Sequence, residues 1–321
     1  MKGSSVQPET PQAQYDELPA RYEKLKTLWG EDALRAIVNA HVLVLGIGGV
    51  GSNCTEALAR GGVGKLTILD RDVVEESNIN RQSIAFYSTL GKRKVDVMEA
   101  MIKDINPEAQ VKKVFGFLRQ EEMESFLDEY ARDVDYVVDA IDTISAKLKL
   151  AELAPNYSFK LISSMGGANK IHPECFKIAD LYDTVNCPLC RIMRKEGRKR
   201  GIKQLKVIYS CEQPVDTNMG SDWERAERKD LGTASFVPPI FGQMIAGEVL
   251  RDLAGSLSPF FLCSLVYASC SYICSRTWLR VGCWGSGVFL PNLLVENNPP
   301  PQPLGVFFLH KTHVRYKKTA R

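Results

Sequence analysis

The chain has 321 residues, of which 45% are hydrophobic and 25% charged, values that suit one sizeable soluble globular domain with or without an appendage. The net charge of +3 is too small for the chain to bind nucleic acid through its overall charge, so any such contact must come from a local patch. The nine cysteines are unevenly spaced and exclude a secreted disulfide framework, which predicts a reducing compartment, the cytoplasm.

The predicted elements begin after a short leader. Residues 1–20 have neither the apolar core of a signal peptide nor the Arg-rich composition of a transit peptide, and we predict that they are disordered. An interrupted apolar face predicts a helix from Tyr22 to about Asn39. Apolar strands then alternate with helices: the strands are HVLVLG, KLTILD, AQVKKVFGFL, DYVVDAID and KLISSMGG. This order predicts a doubly wound, Rossmann-like α/β domain over residues 21–254, a mostly parallel sheet with helices on both faces.

The amino-acid composition changes from residue 191 onward. Residues 191–206, RIMRKEGRKRGIKQLK, hold eight basic residues and one acidic residue, and VPPIFGQMIAGEVLRDLAG predicts a closing helix. Residues 255–321 mix Cys, Ser, aromatic residues and a proline run without periodicity, which predicts an irregular, poorly structured tail. Contact of this tail with a membrane is an alternative, although the apolar part of residues 259–274 is short of the roughly 20 residues that a spanning helix needs.

A glycine-rich turn follows the first strand, in VLVLGIGGVGSN. Its glycines are Gly46, Gly48, Gly49 and Gly51, which match G-x-G-x-x-G between a strand and a helix. Such a turn lets the backbone approach a phosphate, and the N–H groups at the start of the helix then face the anion. Asp70 ends the next strand, where an acid can hold a ribose hydroxyl. A dinucleotide for hydride transfer and an ATP both fit these residues.

The polar loop LDRDVVEESNINRQ comes next. It contains Asp70, Asp72, Asn78, Asn80, Arg81 and Gln82. A hydride-transfer site needs a fairly apolar nicotinamide pocket, whereas this loop offers acids for a ribose or a metal and a guanidinium for a triphosphate. The alternative is a solvated loop with a structural salt bridge.

Several of these segments together resemble a known family. GIGGVGS, LARGGVGKLTILDRDVVEESNINRQ, LGKRKVDVMEAMIKDINP and DYVVDAIDT are similar to the adenylating core of ubiquitin-activating enzymes and of the sulfur-carrier adenylyltransferases of thiamine and molybdopterin synthesis. The resemblance extends from Arg21 to Leu253 and implies ATP instead of NAD, with an adenylate formed on a carboxylate.

The resemblance also implies roles for single residues. It places the four glycines around the nucleotide, Asp70 on its ribose, and Asp72 and Asn80 in the same ATP-binding loop. Arg81 and Lys94 would bind the triphosphate, with Arg81 and Asp142 catalytic and Asp142 holding Mg²⁺. Arg21 would reach into the site of the partner subunit, which implies a homodimer.

The second half resembles one branch of this family, the tRNA threonylcarbamoyladenosine dehydratases. The similar segments are SSMGGANKIHPECFKIADLYDTVNCPLCRIMRKEGRKRGIKQLKVIYSCEQP and LGTASFVPPIFGQMIAGEVLRDL. This implies that the threonyl carboxylate of a hypermodified adenosine next to an anticodon is adenylated, and that attack from the same side chain expels AMP and closes a ring. Arg194, Arg198 and Arg200 would then contact tRNA phosphates; a solvated charged face is the alternative. The alternative function is activation of a ubiquitin-like or sulfur-carrier protein.

The cysteines offer two further hypotheses. Cys187 and Cys190 form the only C-x-x-C pair, so the sequence does not contain the two pairs of a Cys₄ zinc site, and we interpret them as reduced thiols. Cys211, in VIYSCEQP, could trap an acyl adenylate with assistance from Glu212, but a cysteine at the end of a strand is also a common core residue.

Overall fold

The computed structural model describes residues 18–215 and 231–255. The strands within these residues are β1 (His41–Leu45), β2 (Lys65–Asp70), β3 (Gln110–Phe115), β4 (Tyr136–Asp139), β5 (Lys160–Ser164), β6 (Phe176–Asp180) and β7 (Lys206–Ser210). The α-helices are α1 (Glu23–Trp29), α2 (Glu31–Asn39), α3 (Gly49–Arg60), α4 (Lys94–Ile105), α5 (Met123–Tyr130), α6 (Ile144–Leu153), α7 (Pro188–Lys199) and α8 (Val237–Leu253).

The seven strands form one sheet in the order β3-β2-β1-β4-β5-β7-β6. Every neighbouring pair is parallel except β6 and β7, which pair antiparallel at one edge of the sheet. The sheet grows outward from β1 in both directions, because β2 lies on one side of β1 and β4 on the other. The prediction of a doubly wound, mostly parallel sheet is therefore confirmed.

The core explains why the central strands are apolar throughout. In β1, Val42 and Val44 belong to a buried cluster that also contains residues of α3, α4 and α8. The alternate residues Leu43 and Leu45 belong to a second cluster, which contains residues of α5 and α6. Because successive side chains of a strand point to opposite faces, a strand with helices on both faces must be apolar at every position.

Two helices differ from the sequence prediction. The helix predicted from Tyr22 to Asn39 is divided into α1 and α2 by Gly30, whose φ of +79° places it in the left-handed region. The basic run starting at Arg191 is helical only to Lys199; the chain turns at Gly201, with φ of +72°, and enters β7.

Other predictions concern parts of the chain that the structure does not describe. The predicted leader lies, up to residue 17, outside the described residues, and so does the predicted tail from residue 256 onward, including its alternative contact with a membrane. Among the helices that are described, none is long and apolar enough to cross a bilayer.

Candidate active site

A cleft of about 400 Å³ opens at the carboxyl ends of β1, β2 and β4. In an open parallel sheet the loops that follow two neighbouring strands diverge where the strand order reverses, and ligands bind in the crevice between them. Here that point lies between β1 and β4. The cleft is lined by most of the predicted ATP-binding residues, namely Gly46, Gly48, Gly49, Asp70, Asp72, Arg81, Lys94 and Asp142.

The glycine turn forms the floor of the cleft. Gly46 has a φ of +92°, and a Cβ at this position would lie 2.8 Å from the Ala140 carbonyl oxygen. Gly51 does not line the cleft, but a Cβ there would lie 1.7 Å from the Gly46 carbonyl oxygen, so the turn can close only with glycine at both positions. The helix α3 then begins at Gly49, and its first N–H groups are available to an anion.

Asp70, at the end of β2, accepts hydrogen bonds from two different loops. Its Oδ2 accepts a hydrogen bond from Ile47 N at 2.6 Å, and its Oδ1 accepts one from Asp72 N at 2.8 Å. The side chain is buried, and burial raises the pKa of Asp70 against the opposing effect of these two N–H groups. Asp70 therefore fixes the glycine turn relative to the polar loop, in addition to lining the cleft.

Lys94 is the first residue of α4 and forms a salt bridge within the cleft. Its Nζ lies 2.9 Å from Asp72 Oδ2, and its side chain is 6% exposed whereas that of Asp72 is 52% exposed. Among the residues that the structure describes, Asp72 is the carboxylate that pairs with this buried ammonium, and the cleft is open to an anionic ligand. Lys94 is thus placed to meet a polyphosphate, with Asp72 holding it in position.

Arg81 lines the cleft, and the side chain of its neighbour Asn80 accepts a hydrogen bond from it. Arg81 Nη1 donates to Asn80 Oδ1 at 2.7 Å and to the Ser77 carbonyl at 2.9 Å. Asn80 is absent from the lining and donates from Nδ2 to the Thr233 carbonyl at 3.4 Å. Asn80 therefore orients the guanidinium, and its own contact with ATP remains a prediction.

Asp142 provides an exposed carboxylate in the turn that follows β4. The Thr143 hydroxyl donates to its Oδ1 at 3.4 Å. Magnesium in nucleotide sites is held by one or two carboxylates together with phosphate oxygens and water, and Asp142 and Asp72 face the same cleft. This donor set fits a magnesium ion that arrives with a nucleotide. Within residues 18–215 and 231–255, no group of three or more His, Cys, Asp or Glu side chains is arranged to hold a metal on its own.

A buried ion pair behind Asp142 was missed at the level of sequence. Lys147 Nζ lies 3.0 Å from Asp139 Oδ2, and the two side chains are 2% and 1% exposed. The Ser163 hydroxyl donates to the same Oδ2 at 2.5 Å, while Asp139 Oδ1 accepts from Ile141 N at 3.1 Å. The pair thereby fixes the turn that carries Asp142. The helix ISAKLKLAEL contains two lysines, and the sequence gives no sign that Lys147 and not Lys149 is buried.

Two more side chains of the cleft were not predicted as ligands. Gln82 is 7% exposed, and within the described part of the chain its Oε1 has no hydrogen-bond partner, although it lines the cleft. Phe117 lines the same cleft with 41% exposure, and the Arg71 guanidinium lies 4.2 Å from its ring centroid. An unsatisfied acceptor and an exposed ring are features that a nucleobase could use.

Arg21 and Cys211 do not line the cleft of their own chain. The Arg21 guanidinium donates to Asn106 Oδ1 at 3.0 Å and pairs with the Glu108 carboxylate. Cys211 follows β7, and its N–H donates to the Cys175 carbonyl at 3.0 Å. The action of Arg21 on a partner subunit and the nucleophilic role of Cys211 remain predictions.

The three predicted tRNA contacts differ in their surroundings. Arg194 is half-buried, and its guanidinium donates to the carbonyl of Thr184 at 2.8 Å and to the hydroxyl of the same residue. Arg198 is exposed, with its guanidinium 5.2 Å from the Tyr182 ring centroid. Arg200 is also exposed and lies 3.4 Å from Glu152 Oε2. Arg194 therefore stabilises the start of α7, and the other two present charge to solvent.

The amino-acid sequence of this chain is similar to that of known proteins over most of its length. The ThiF family model matches residues 22–268. The tRNA threonylcarbamoyladenosine dehydratase of Bacillus subtilis is 42% identical over 233 residues, which cover 70% of this chain and 91% of that protein. The enzyme of the same name from Escherichia coli is 35% identical over 252 residues, covering 73% of this chain and 93% of that protein.

A solved structure is similar to the same part of the chain. It is the E. coli tRNA N6-threonylcarbamoyladenosine dehydratase, TcdA, in complex with ATP, with a TM-score of 0.65 and 30% sequence identity. The similarity covers 73% of this chain and 94% of that structure.

Proposed function

Since this chain belongs to the ThiF family, we propose that it is an ATP-dependent tRNA threonylcarbamoyladenosine dehydratase. The extent of the match to the B. subtilis relative carries the proposal. A match of 233 residues is too long to end before β5, so it extends into the second half of the domain. By contrast, the molybdopterin-synthase adenylyltransferase of E. coli matches this chain over 137 residues, which cover 42% of it.

The first step is adenylation of the substrate carboxylate. A carboxylate oxygen attacks the α-phosphorus of ATP, the bond to the β-phosphate breaks, and pyrophosphate leaves. Catalysis of such a step consists mainly of positioning and charge neutralisation. We assign the triphosphate to Lys94 and Arg81, which bring positive charge to one cleft. The glycine turn and the start of α3 supply N–H groups for the phosphates.

Two carboxylates complete this assignment. Asp70, at the end of β2, is placed to accept a hydrogen bond from the ribose. Asp142 would hold magnesium, which when bound neutralises charge on the phosphates. The ion pair between Lys147 and Asp139 supports the backbone next to Asp142, because Asp139 also accepts a hydrogen bond from Ile141 N.

The second step closes a ring. A nucleophile on the same threonylcarbamoyl side chain attacks the acyl carbon, the bond to the adenylate oxygen breaks, and AMP leaves. The net change in the nucleoside is the loss of one water. Because the substrate brings its own nucleophile, the step requires no cysteine of the protein, and Cys211 lies outside the cleft.

The tRNA would approach along the exposed side of α7. Arg198 and Arg200 present guanidinium groups there, and such groups neutralise phosphates without reading sequence. We further propose a homodimer in which Arg21 serves the site of the partner. All cysteines of the described residues are free thiols, which supports a reducing compartment and agrees with our proposal of a cytoplasmic enzyme.

The proposal is tested with purified full-length protein, ATP·Mg²⁺ and tRNA that carries threonylcarbamoyladenosine. We expect release of AMP and pyrophosphate, and a product nucleoside lighter by one water in mass spectrometry. The same tRNA without the modification is the control and should give no AMP. If AMP formed instead with a ubiquitin-like or sulfur-carrier protein and not with the modified tRNA, the alternative function would replace this one.

A further inference from the structure

Two exposed phenylalanines lie beside the cleft, at the carboxyl end of β3. Phe115 is the last residue of β3 and Phe117 lies two positions further on, with exposures of 45% and 41%. The Arg93 guanidinium lies 4.4 Å from the ring centroid of Phe115, and the Arg71 guanidinium lies 4.2 Å from that of Phe117. We call these four side chains the aromatic platform.

Backbone hydrogen bonds fix the segments that carry the aromatic platform. Gly116 N donates to the Asp70 carbonyl at 3.2 Å, so the pairing of β3 with β2 continues between the two rings. Lys94 N donates to the Asp72 carbonyl at 3.0 Å, which joins the segment after β2 to the start of α4. The rings and the guanidinium groups are therefore attached to a fixed backbone, and each ring has its cation in place before a ligand arrives.

The aromatic platform begins in the cleft and continues beyond it. Phe117 and Arg71 line the cleft, whereas Phe115 and Arg93 lie outside its lining. Arg93 immediately precedes Lys94, which we assign to the triphosphate of ATP. A polymer whose reacting group enters the cleft can therefore contact the platform with the neighbouring units of its chain.

Exposed rings stacked with guanidinium groups suit an unpaired stretch of RNA. Unstacked bases pack against Phe rings and against the planes of Arg guanidinium groups, and Arg also attracts the backbone phosphates. The platform carries two positive charges, and the Asp72 carboxylate lies 3.5 Å from the Arg71 guanidinium. The exposed cations Lys92 and Arg119 adjoin the platform in sequence. The surface therefore offers stacking and positive charge together, the combination that binds single-stranded RNA.

A protein strand that pairs with β3 is the competing partner. The strand β3 stands at one end of the sheet order, and an edge strand can accept another strand along its outer side. It carries Lys112 and Lys113, however, and lysines on an edge strand discourage such pairing. Lys113 is held by Asp96 at 2.8 Å and by Glu99 at 2.7 Å. The charge of this edge thus favours a polyanion over a protein strand.

We propose that the aromatic platform binds unpaired bases of the substrate tRNA, next to the modified adenosine whose carboxylate enters the cleft. This inference rests on the proposed function, which supplies the RNA and its reacting nucleoside. The platform lies at the β3 end of the sheet, whereas α7 precedes β7 near the other end. The exposed charges of α7 neutralise phosphates, and the platform adds the base stacking that α7, with no aromatic residue, does not offer.

Photo-cross-linking of the full-length protein tests this placement without any substitution. An unmodified tRNA transcript with 4-thiouridine in its anticodon loop is irradiated in complex with the protein, and the tryptic peptides are mapped by mass spectrometry. We expect a cross-linked nucleotide on the peptide VFGFLR, residues 114–119. Cross-links that are found on α7 and not on this peptide would overturn the proposal, and so would their complete absence.

Substitutions then separate stacking from charge. Phe115→Leu keeps an apolar side chain without the ring and should weaken tRNA binding by about tenfold. The slope of log K against log salt should not change, since no phosphate contact is lost. Phe115→Tyr should restore the affinity, and Arg93→Gln should lower both the affinity and the slope. Phe86→Leu is the matched control, because this ring is 54% exposed and lies outside the platform.

Equal tRNA affinity of Phe115→Leu and the unsubstituted chain would contradict the inference, as would an equal loss in Phe86→Leu. Urea unfolding and ATP binding of each variant identify misfolding, and the cross-link is independent of every variant. ATP affinity should stay unchanged in Phe115→Leu, because this ring lies outside the cleft lining. The binding assays need no turnover, so a cross-linked VFGFLR peptide without AMP release from modified tRNA would count against the proposed function alone.

Discussion

Single side chains of the cleft are held by charged or backbone partners before any ligand binds. Asp70 is fixed by two backbone N–H groups, Lys94 by Asp72, and the Asp142 turn by the buried pair of Lys147 and Asp139. Such preorganisation matters because a group that is already oriented does not lose conformational entropy when the transition state forms.

The first prediction concerns Asp142. Asp142→Ala should abolish release of AMP while leaving the fold intact, because the side chain is exposed. ATP binding should lose its dependence on magnesium, measured by calorimetry with and without the metal. Asp104→Ala, an exposed acid on α4, is the matched control. Retained turnover in Asp142→Ala would remove this residue from the site.

A second prediction concerns the buried ion pair. Lys147→Met leaves Asp139 as an uncompensated buried charge, and we expect the free energy of unfolding to fall by about 3–5 kcal/mol. Adding Asp139→Asn removes that charge and should recover part of the loss. The comparison is made by urea unfolding of the single and double variants. A double variant less stable than Lys147→Met alone would show that the carboxylate acts independently of the lysine.

The third prediction is a pH dependence at the start of β1. Burial lowers the pKa of His41, whose ring nitrogens contact Thr67 Oγ1 at 2.8 Å and the Asp133 carbonyl at 3.2 Å. Below the ordinary histidine pKa of about 6.5 the unfolded chain takes up a proton that the native chain does not, so stability falls as the pH falls through this window. His41→Gln should lose less unfolding free energy than the unsubstituted chain between about pH 7 and pH 5, measured by chemical unfolding; equal losses would contradict the prediction.

At the scale of elements, the helix α7 has one buried face and one exposed, basic face. Cys190, Met193 and Gly197 are buried, and the first two belong to the cluster that packs around β7. The basic residues occupy the remaining surface, except that Arg194 is turned back onto Thr184. The charge run seen in the sequence is therefore partly structural and partly a solvent-facing surface.

The fourth prediction separates these two parts. Changing both Arg198 and Arg200 to Glu should weaken tRNA binding and reduce the slope of log K against log salt by roughly 0.7–0.9 for each phosphate that the protein no longer neutralises. ATP affinity should not change, because neither residue lines the cleft. Arg194→Glu should instead lower the free energy of unfolding. Filter binding over a salt series and urea unfolding are the two measurements.

A matched control for this experiment is Lys24→Glu together with Lys26→Glu, which reverses two exposed charges on α1. These variants change the net charge by the same amount as the α7 pair. If they weakened tRNA binding equally, the effect would come from overall charge and the surface of α7 would have no specific part in binding.

For the whole molecule, the sheet gathers residues that are distant in sequence into one cleft. Its lining runs from Gly46 near the start of the sheet to Phe241 in α8. Parallel strands place their carboxyl ends at one edge, so each loop that leaves that edge can contribute a side chain. Arg21 lies outside this cleft and pairs with Glu108 of its own chain.

The fifth prediction tests whether Arg21 acts across a dimer. Arg21→Ala and Asp142→Ala are each expected to be inactive alone, but a mixture should recover activity, because a hybrid dimer holds one site with both residues intact. At equal amounts about a quarter of all sites would be complete if subunits exchange freely. Activity is followed by AMP release, with dimers confirmed by sedimentation; dimers without recovery would return Arg21 to a structural role with Glu108.

Much of the fold was predictable because the physical signals are local. Strands buried on both faces must be apolar throughout, as HVLVL in β1 is, and the glycine turn must follow such a strand. The position of Gly30 within an apolar helical pattern was one exception, and the end of α7 at Lys199 was another. A periodic pattern does not reveal a left-handed residue that divides one helix into two.

The sheet class, the glycine turn and the polar loop with Asp70 and Arg81 could be predicted from the amino-acid sequence, because each depends on residues that are consecutive in the chain. Three contacts became known only from the folded chain: the pair of Lys147 and Asp139, the hydrogen bond from Arg81 to Asn80, and the hydrogen bond from Lys170 to the Glu212 carbonyl. The physical reason is that burial and charge compensation depend on which segments meet in space. A lysine has the same letter in the sequence whether it faces water or closes an ion pair in the core.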